Sequence, residues 1–327
     1  MHITAISLAV ASGLQDGHLA SLEAALRHIT DLGFTGAELT PHSVSAIING
    51  QLHSPQVQRV QAILRQFDLQ YTVHAPNRVN LAFGEPAEMQ VEVLRACLAF
   101  CGAIGASILV YHSGLQALDA ARAGLRALPS DEELAAGRRR EVAALRDLAS
   151  LAADLNVTIA VENGDPHLWE YNVLQAHGRP PEDLPKYHAR LQIPPIIEQL
   201  AAVGDPAVGL CLDLGHLHVA AHTLGFDFLE AVSQAAPWVC HLHVNDNFGK
   251  LDAGFDQESA RLPFGEADLH LPPGWGAIPY EEVFARLSDY RGILVLEIKP
   301  RYLEHLDEAL TTLRALIGEG LDIRART

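Results

Sequence analysis

The sequence predicts an α/β chain folded as a (β/α)8 TIM barrel. Eight short apolar runs alternate with periodic segments of helical length, and each run ends on or near a carboxylate or an imidazole. Alternating strands and helices are typical of parallel sheets with helical crossovers. In a closed barrel, the carboxyl ends of all eight strands meet on one face, where reactive groups gather. A doubly wound open sheet shows the same alternation, but it would not bring together side chains from all eight strands.

The apolar runs are short enough to be buried strands, and the segments between most of them have helical periodicity. The predicted strands are Ile3–Val10, Gly36–Thr40, Tyr71–His74, Ile108–His112, Thr158–Glu162, Val208–Asp213, Val239–His243 and Ile293–Glu297. The predicted helices are Leu19–Leu32, Glu88–Ile104, Arg138–Leu155, Pro194–Val203, Phe226–Ala236, Tyr280–Leu287 and Leu303–Ile317.

A single domain over residues 1–327 is expected, because neither an internal repeat nor a low-complexity linker divides the chain. Two long insertions depart from a minimal barrel. Gly164–Gln192, after the fifth strand, is rich in aromatic residues and histidine, which predicts an ordered lid over the barrel mouth, with a subunit contact as the alternative. Phe248–Leu271 follows the seventh strand, and the tail Arg324–Thr327 is expected to be frayed.

The amino-acid composition limits the kinds of molecule that the protein is expected to bind. The net charge is −17 and no strong basic cluster stands out, so nucleic acid is not the expected ligand. No apolar stretch approaches the roughly 20 residues of a membrane span, and no signal-type N-terminus precedes the first strand. These features predict a cytoplasmic enzyme that acts on a small molecule and does not associate with membranes. They are compatible with a homodimer. The four cysteines lie in apolar patterns and are predicted to be reduced and buried.

Four strand ends predict a metal site. Glu162, Asp213, His243 and Glu297 end strands five, six, seven and eight, so in a closed barrel they point into one space. Burying several unpaired carboxylates is costly, which favours a shared cation over four separate hydrogen-bonded groups. Carboxylates favour Mn, Mg or Co, whereas imidazoles also admit Zn or Fe.

A second set of residues surrounds these four ligands. Its members can bind further ions or substrate oxygens, and they are His74, His112, His216, Asp268 and His270. If all of them bind metal, the centre is di- or trinuclear and suits phosphoester cleavage. If they do not, they would bind sugar hydroxyls or a phosphate, and the residues alone leave both alternatives open. His241 shares the strand face of His243 and is either a further site residue or a support deeper in the barrel.

The motifs together resemble the xylose-isomerase-like TIM barrel superfamily. The resemblance covers nearly the whole chain and rests on Glu38 and on the segments HAP (74–76), YHSG (111–114), VENG (161–164), LDLGH (212–216), HLHVNDN (241–247), HLPPGWG (270–276) and LEIK (296–299). This superfamily contains sugar-phosphate isomerases and epimerases, inosose dehydratases and apurinic-site endonucleases of the endonuclease IV type.

For a member that acts on sugars, the resemblance implies one divalent ion, such as Mn, Co, Mg or Zn, held by Glu162, Asp213, His243 and Glu297. Glu162 and Glu297 would be the catalytic acid and base, exchanging a proton with the carbon beside a carbonyl through an enediolate. His216 would bind a substrate oxygen. Trp275 could pack on a sugar ring, and Lys299 could hold a phosphate. The implied substrate is a sugar, a sugar phosphate or a related polyol.

The runner-up is a multinuclear zinc phosphoesterase resembling apurinic-site endonucleases. All five surrounding residues and all four inner ligands match positions that build a trinuclear zinc cluster in that type. The DNA-handling features are missing, because Asn77 replaces the aromatic residue after HAP and the chain has no strong basic stripe. A third alternative, a sugar-binding barrel without activity, is disfavoured because binding alone does not require a complete metal shell.

Overall fold

The computed structural model describes residues 1–10, 17–113, 117–124, 126–254 and 257–318. Eight parallel strands close into a barrel in which each strand pairs with the next along the chain and the last pairs with the first. These strands are β1 His2–Ala9, β2 Gly36–Leu39, β3 Gln70–His74, β4 Ile108–Tyr111, β5 Thr158–Glu162, β6 Val208–Asp213, β7 Val239–Val244 and β8 Arg291–Leu296. The predicted fold class is confirmed, and the strand bounds agree with the predicted ones to within one or two residues.

Helices connect the strands. They are α1 Leu19–Leu32, α2 Ser54–Leu64, α3 Ala87–Ile104, α4 Leu118–Arg122, α5 Asp131–Asp154, α6 Leu168–Ala176, α7 Leu184–Tyr187, α8 Ile193–Val203, α9 Leu214–Leu224, α10 Phe228–Ala235, α11 Glu258–Arg261, α12 Tyr280–Arg286 and α13 Leu306–Leu316. A two-stranded antiparallel hairpin of Ile47–Ile48 and Gln51–Leu52 precedes α2. The seven predicted helices do not include α2, α4, α6, α7, α9 and α11.

Local capping explains why one predicted helix was too short. The prediction started at Arg138, whereas α5 begins at Asp131. The backbone N–H of Glu133 donates to Ser130 Oγ at 3.3 Å, and Glu133 Oε2 accepts from the Ser130 backbone N–H at 2.8 Å. This capping box satisfies two of the N–H groups that a helix start leaves unpaired, and the acidic residues of the first turn match the helix dipole.

The core lies between the barrel and its helices, and the carboxyl end of the barrel interior is polar. Aliphatic residues of all eight strands join one continuous buried cluster with the inner helix faces. Side chains alternate along each strand, so every second residue points into the barrel. On β7 these are His241 and His243, which are both fully buried. The free cysteines Cys97, Cys101 and Cys211 are buried, and Cys240 is half-buried.

The long segment after β5 is ordered and anchored. It contains α6, α7 and two short 3-10 helices, and it carries the buried Arg190. Arg190 donates to Ser113 Oγ at 3.1 Å and to Glu141 Oε1 at 2.9 Å, and Tyr111 donates to the same Glu141 oxygen at 2.8 Å. These hydrogen bonds connect the segment to α5 and to the end of β4, while the buried Arg190 Nη1 has no partner among the described residues.

The segment after β7 contains α11 and a 3-10 turn, Leu262–Phe264. The predicted frayed tail Arg324–Thr327 lies outside the described residues. Among the helices of the described ranges, none has the length and apolar character needed to cross a membrane.

Candidate metal centre

The four predicted inner ligands converge at the carboxyl end of the barrel. Each of Glu162, Asp213, His243 and Glu297 offers one ligand atom, and these atoms all lie within 4.8 Å of one another. His243 Nδ1 lies 2.9 Å from Glu162 Oε1, 3.2 Å from Glu297 Oε2 and 3.8 Å from Asp213 Oδ2. Three carboxylates therefore face one imidazole nitrogen.

This arrangement fits a divalent cation. A proton on His243 Nδ1 satisfies one carboxylate oxygen at a time, and Glu162 Oε1 is the one with hydrogen-bond geometry. Glu297 Oε2 is buried and has no hydrogen-bond partner among the described residues. Burying charges without partners costs free energy. A cation that contacts all three carboxylates would offset this cost, which the single proton on His243 Nδ1 does not. The donor set of carboxylates and one imidazole suits Mn, Mg, Co or Zn.

Glu38 supports the inner cluster from below. Its Oε1 lies 3.1 Å from His243 Nε2, on the far side of the ring from the three carboxylates. Its Oε2 accepts from Thr72 Oγ1 at 2.9 Å and lies 3.0 Å from His241 Nε2. A carboxylate behind a metal-binding imidazole orients the ring and raises its basicity. His241 lies behind His243, beside Glu38, and the ligand atoms of Glu38, His241 and His243 fall within 4.8 Å of one another, so both alternatives for His241 stay open.

Asp213 is held by the backbone as well as by side chains. It is the N-cap of α9, where its Oδ1 accepts from the His216 backbone N–H at 2.7 Å. The Asn163 side chain exchanges two hydrogen bonds with the Asp213 backbone, at 2.8 and 2.9 Å, and Asn245 donates to Asp213 Oδ2 at 3.1 Å. His216 therefore lies in the first turn of α9, directly after its N-cap Asp213.

A second cluster lies beside the first. Its members, His216, Asp268 and His270, were all predicted, and their ligand atoms also fall within 4.8 Å of one another. Asp268 Oδ2 lies 2.5 Å from His270 Nε2 and 3.6 Å from His216 Nε2. The other Asp268 oxygen accepts from Asn247 Nδ2 at 2.9 Å.

Three histidines of the site share one hydrogen-bond pattern. Each places Nδ1 on a backbone carbonyl: His74 on Ala75 at 2.7 Å, His216 on Asn163 at 2.9 Å and His270 on Glu297 at 2.7 Å. A carbonyl only accepts, so Nδ1 carries the proton and Nε2 of the neutral ring has a lone pair. All three Nε2 atoms face carboxylate oxygens, so each pair needs a further proton or a shared cation.

The pKa values of the cation-free cluster follow from this geometry. Burial lowers the pKa of His74, but the Glu162 carboxylate, together with Glu38 and Glu297, outweighs burial and raises that pKa to about 9. Burial raises the pKa of Asp213 to about 7, against the attraction of His216 and with the repulsion of Asp268. For Glu162 the attraction of His243 overcomes burial, so its pKa is well below the usual value. The raised pKa of His74 favours the charged imidazolium, whose positive charge offsets part of the carboxylate charge in the cation-free cluster.

His112 stands apart from the two clusters. Its ring centroid lies 6.3 Å from that of His74 and 5.6 Å from that of His216. His74 Nε2 is 3.2 Å from Glu162 Oε2, but among the described residues no metal-sized group of three includes His112. Burial lowers the pKa of His112 to about 4, so its ring is neutral at pH 7.

A cavity of about 690 Å³ opens beside the second cluster, and none of the four inner ligands is among its described lining residues. His112, His216, Asp268, His270 and Lys299 line it, together with residues after β3 and β4. This volume is in the range of small-molecule sites. Lys299 Nζ donates to the Asp268 carbonyl at 3.0 Å, which holds this ammonium at the cavity wall.

Trp275 does not line this cavity. Its ring packs on His305 and Tyr302, with centroids 4.7 and 5.8 Å apart, and its Nε1 donates to Glu308 at 2.9 Å. From the sequence, Asn163 and Asn247 have no predicted role, and Asn245 is expected in a turn with possible substrate contacts. Asn163 bonds the Asp213 backbone, whereas Asn245 and Asn247 donate to the Asp213 and Asp268 carboxylates. The segments VENG and HLHVNDN contain these residues, so their position beside predicted ligands was the available signal.

Solved structures with the same architecture include sugar epimerases. D-psicose 3-epimerase, solved in the presence of D-fructose, is 15% identical with a TM-score of 0.66, over 96% of this chain and 100% of that chain. The 3-keto-D-glucoside 4-epimerase from E. coli is 15% identical with a TM-score of 0.64, over 95% and 98%. The IOLI protein with a binding zinc atom is 16% identical with a TM-score of 0.64, over 98% and 100%.

At this identity, these similarities show the fold. A comparison with curated proteins finds no match. The family model of the xylose isomerase-like TIM barrel matches residues 26–320. Because that match spans nearly the whole chain, the protein belongs to the xylose isomerase-like TIM barrel family.

Proposed function

We propose that this protein is a divalent-metal-dependent isomerase or epimerase of a sugar, a sugar phosphate or a related polyol. The observation that carries the proposal is the convergence of Glu162, Asp213 and Glu297 on one nitrogen of His243. This donor set is complete for one ion such as Mn, Co, Mg or Zn. Solved structures of the same fold that are named as sugar 3- and 4-epimerases support the substrate class.

Glu162 and Glu297 are the proposed acid and base. A bound ion would polarise the substrate carbonyl and stabilise the enediolate that forms when a neighbouring carbon loses its proton. One glutamate takes that proton, and the other delivers a proton to the opposite face or to the adjacent carbon. An epimerisation therefore ends with the protonation states of the two glutamates exchanged. Glu297 is the more accessible group, with 23% of its side chain exposed against 1% for Glu162.

The cavity wall supplies the proposed substrate contacts. His216 is fixed by its Nδ1–H bond to Asn163, and its Nε2, which lies 3.6 Å from Asp268 Oδ2, can bind a sugar hydroxyl because His216 lines the cavity. Lys299 can pair with an anionic group of a sugar phosphate, since its ammonium lies at the wall. These polar groups orient a substrate of many hydroxyls in the way small-molecule sites require.

The first test is the metal content of protein purified without chelator or added metal. We expect about one Mn, Mg, Co or Zn per chain by elemental mass spectrometry, and turnover of a ketose or ketose phosphate that chelation abolishes. Asp213→Asn is the matched variant, because it removes one ligand charge at constant size. Protein that binds no divalent ion, or that turns over equally well after chelation, would contradict the proposal.

A multinuclear zinc phosphoesterase remains the second candidate. The cluster of His216, Asp268 and His270 favours it, because it offers a complete set of three ligands beside the first cluster. Two or three zinc ions per chain, with cleavage of a phosphoester, would place this candidate first. Cleavage of an abasic duplex would assign it to the endonuclease type.

Substitution of His74 separates the two candidates. In an epimerase with one ion, His74 only orients Glu162 through the 3.2 Å contact, so we expect His74→Ala to lower kcat about tenfold. In a trinuclear hydrolase His74 is itself a ligand, and the same variant would lose one ion and nearly all activity. Steady-state kinetics and metal analysis of the same preparation distinguish these results. His53→Ala is the control for a general effect of removing an imidazole.

A further inference from the structure

A pair of histidines lies on α9 outside both clusters. His218 and His222, here called the outer histidine pair, are one helical turn apart, and their Nε2 atoms are 3.1 Å from each other. His218 is buried and His222 is exposed. Positions i and i+4 share one face of a helix, which is the spacing that lets two imidazoles bind the same ion.

The tautomer of His218 is set by its neighbour Asn247. The Asn247 amide nitrogen donates to the Gly215 carbonyl at 3.0 Å and to Asp268 Oδ1 at 2.9 Å, so its oxygen is the acceptor. That oxygen accepts from His218 Nδ1 at 2.9 Å and from the Gly249 backbone N–H at 2.9 Å. His218 Nε2 therefore carries a lone pair directed at His222. Such a partner behind the ring is typical of metal-binding histidines.

The distances suit one bridging cation. With bonds of about 2.0–2.1 Å, two nitrogens on one ion are about 2.9 Å apart at a right angle and about 3.4 Å apart at a tetrahedral angle. The observed 3.1 Å lies between these values. The ring centroids are 4.6 Å apart. If both lone pairs point at one ion, the ring centroids should be about 4.8 Å apart. If the rings instead share a linear N–H···N bond of this length, the centroids should be about 5.4 Å apart.

The pair is open to an ion from solution. It lines a cavity of about 450 Å³ on the helix side of the barrel, together with Phe226, Asp227 and Pro279. None of the inner ligands lines this cavity within the described chain. An ion held there by two imidazoles would keep open positions for water on the cavity side.

We propose that the outer histidine pair is a separate binding site for a divalent cation of the zinc, copper and nickel type. Imidazole nitrogens prefer these ions over Mg²⁺ and Ca²⁺, which take oxygen ligands. The site does not depend on the proposed reaction, because neither histidine contacts the four inner ligands. Two protein ligands make it the weaker of the sites on this chain.

The test is a comparison of zinc stoichiometry. Chelator-stripped protein is equilibrated with Zn²⁺, freed of unbound metal under matched conditions and analysed by elemental mass spectrometry. If the inner site binds n ions, we expect n + 1 in the original protein, n in His222→Gln and n + 1 in His28→Gln, which removes an exposed histidine of α1. Copper titration followed by electron paramagnetic resonance should show, beside any copper in the inner clusters, a copper signal with two coordinated nitrogens, which His222→Gln reduces to one and His28→Gln leaves unchanged.

Two control measurements separate loss of the outer site from failure of the inner site and from unfolding of the variant. Asp213→Asn should lower n but preserve the difference of one zinc ion between the chains with and without His222. A failure of the proposed inner site can therefore be distinguished from a failure of the outer histidine pair. Thermal unfolding of metal-free His222→Gln should match that of the original protein, since His222 is exposed. Equal zinc stoichiometry in the original protein and in a folded His222→Gln variant would overturn the proposal.

Discussion

Replacing Glu162 by glutamine should lower kcat for the sugar reaction by about 10³-fold or more, because the variant loses both a ligand charge and a proton-transfer group. Glu162 contacts His243 through Oε1 at 2.9 Å and His74 through Oε2 at 3.2 Å. Glutamine keeps the size but cannot accept a proton at neutral pH. Saturating metal should refill the site without restoring activity. The measurement is kcat as a function of metal concentration.

Glu38→Gln is the matched comparison, since Glu38 is equally buried and contacts the opposite side of His243. We expect this variant to weaken metal affinity by about 10–100-fold and to recover most of its activity at saturating metal. If Glu162→Gln also recovers with added metal, Glu162 is a ligand and not an acid or base. Near-normal activity of Glu162→Gln without added metal would exclude this cluster as the active site.

The barrel and the convergence of its ligands could be predicted because both depend on local signals. Strand length, the alternation with helices and a polar residue at each strand end are readable without knowing any contact. Parallel strands in register then bring Asp213 beside His243, and Glu297 next to the end of β7. Convergence of the four inner ligands could therefore be predicted once the sheet was assumed to close into a barrel.

The contacts of the supporting residues could not be predicted, because their partners are distant in sequence. Glu38 and His241 are 203 positions apart and meet only through the barrel interior. Helix α9 was not predicted, because β6 ends at Asp213 and α9 begins at the next residue without an intervening loop. The apolar pattern therefore shows no boundary between the strand and the helix. The role of Asn247 likewise appears only when α9 packs against the end of β7.

Removing the metal should make the stability of the protein fall as pH rises from 7 to 9. In the cation-free cluster the pKa of His74 is about 9 and that of Asp213 is about 7, both above their ordinary values. The folded chain therefore holds protons that the unfolded chain has already released, and this stabilisation is lost as pH rises through the folded pKa values. A bound cation would neutralise the carboxylates that raise the pKa of His74, so the metal-loaded protein should lack this dependence.

Thermal unfolding of chelated and metal-loaded protein across this pH range measures the effect. A shift of one pKa unit corresponds to about 1.4 kcal/mol, so His74 alone contributes on the order of 3 kcal/mol. The difference in Tm between the two forms should therefore widen by about 5 °C from pH 7 to pH 9. In His74→Asn the widening should shrink by the share of one imidazole and not vanish, because the pKa of His270 is also raised to about 9 and this ring still titrates. A constant difference in Tm across this range would show that protons do not take the place of the cation in the metal-free cluster.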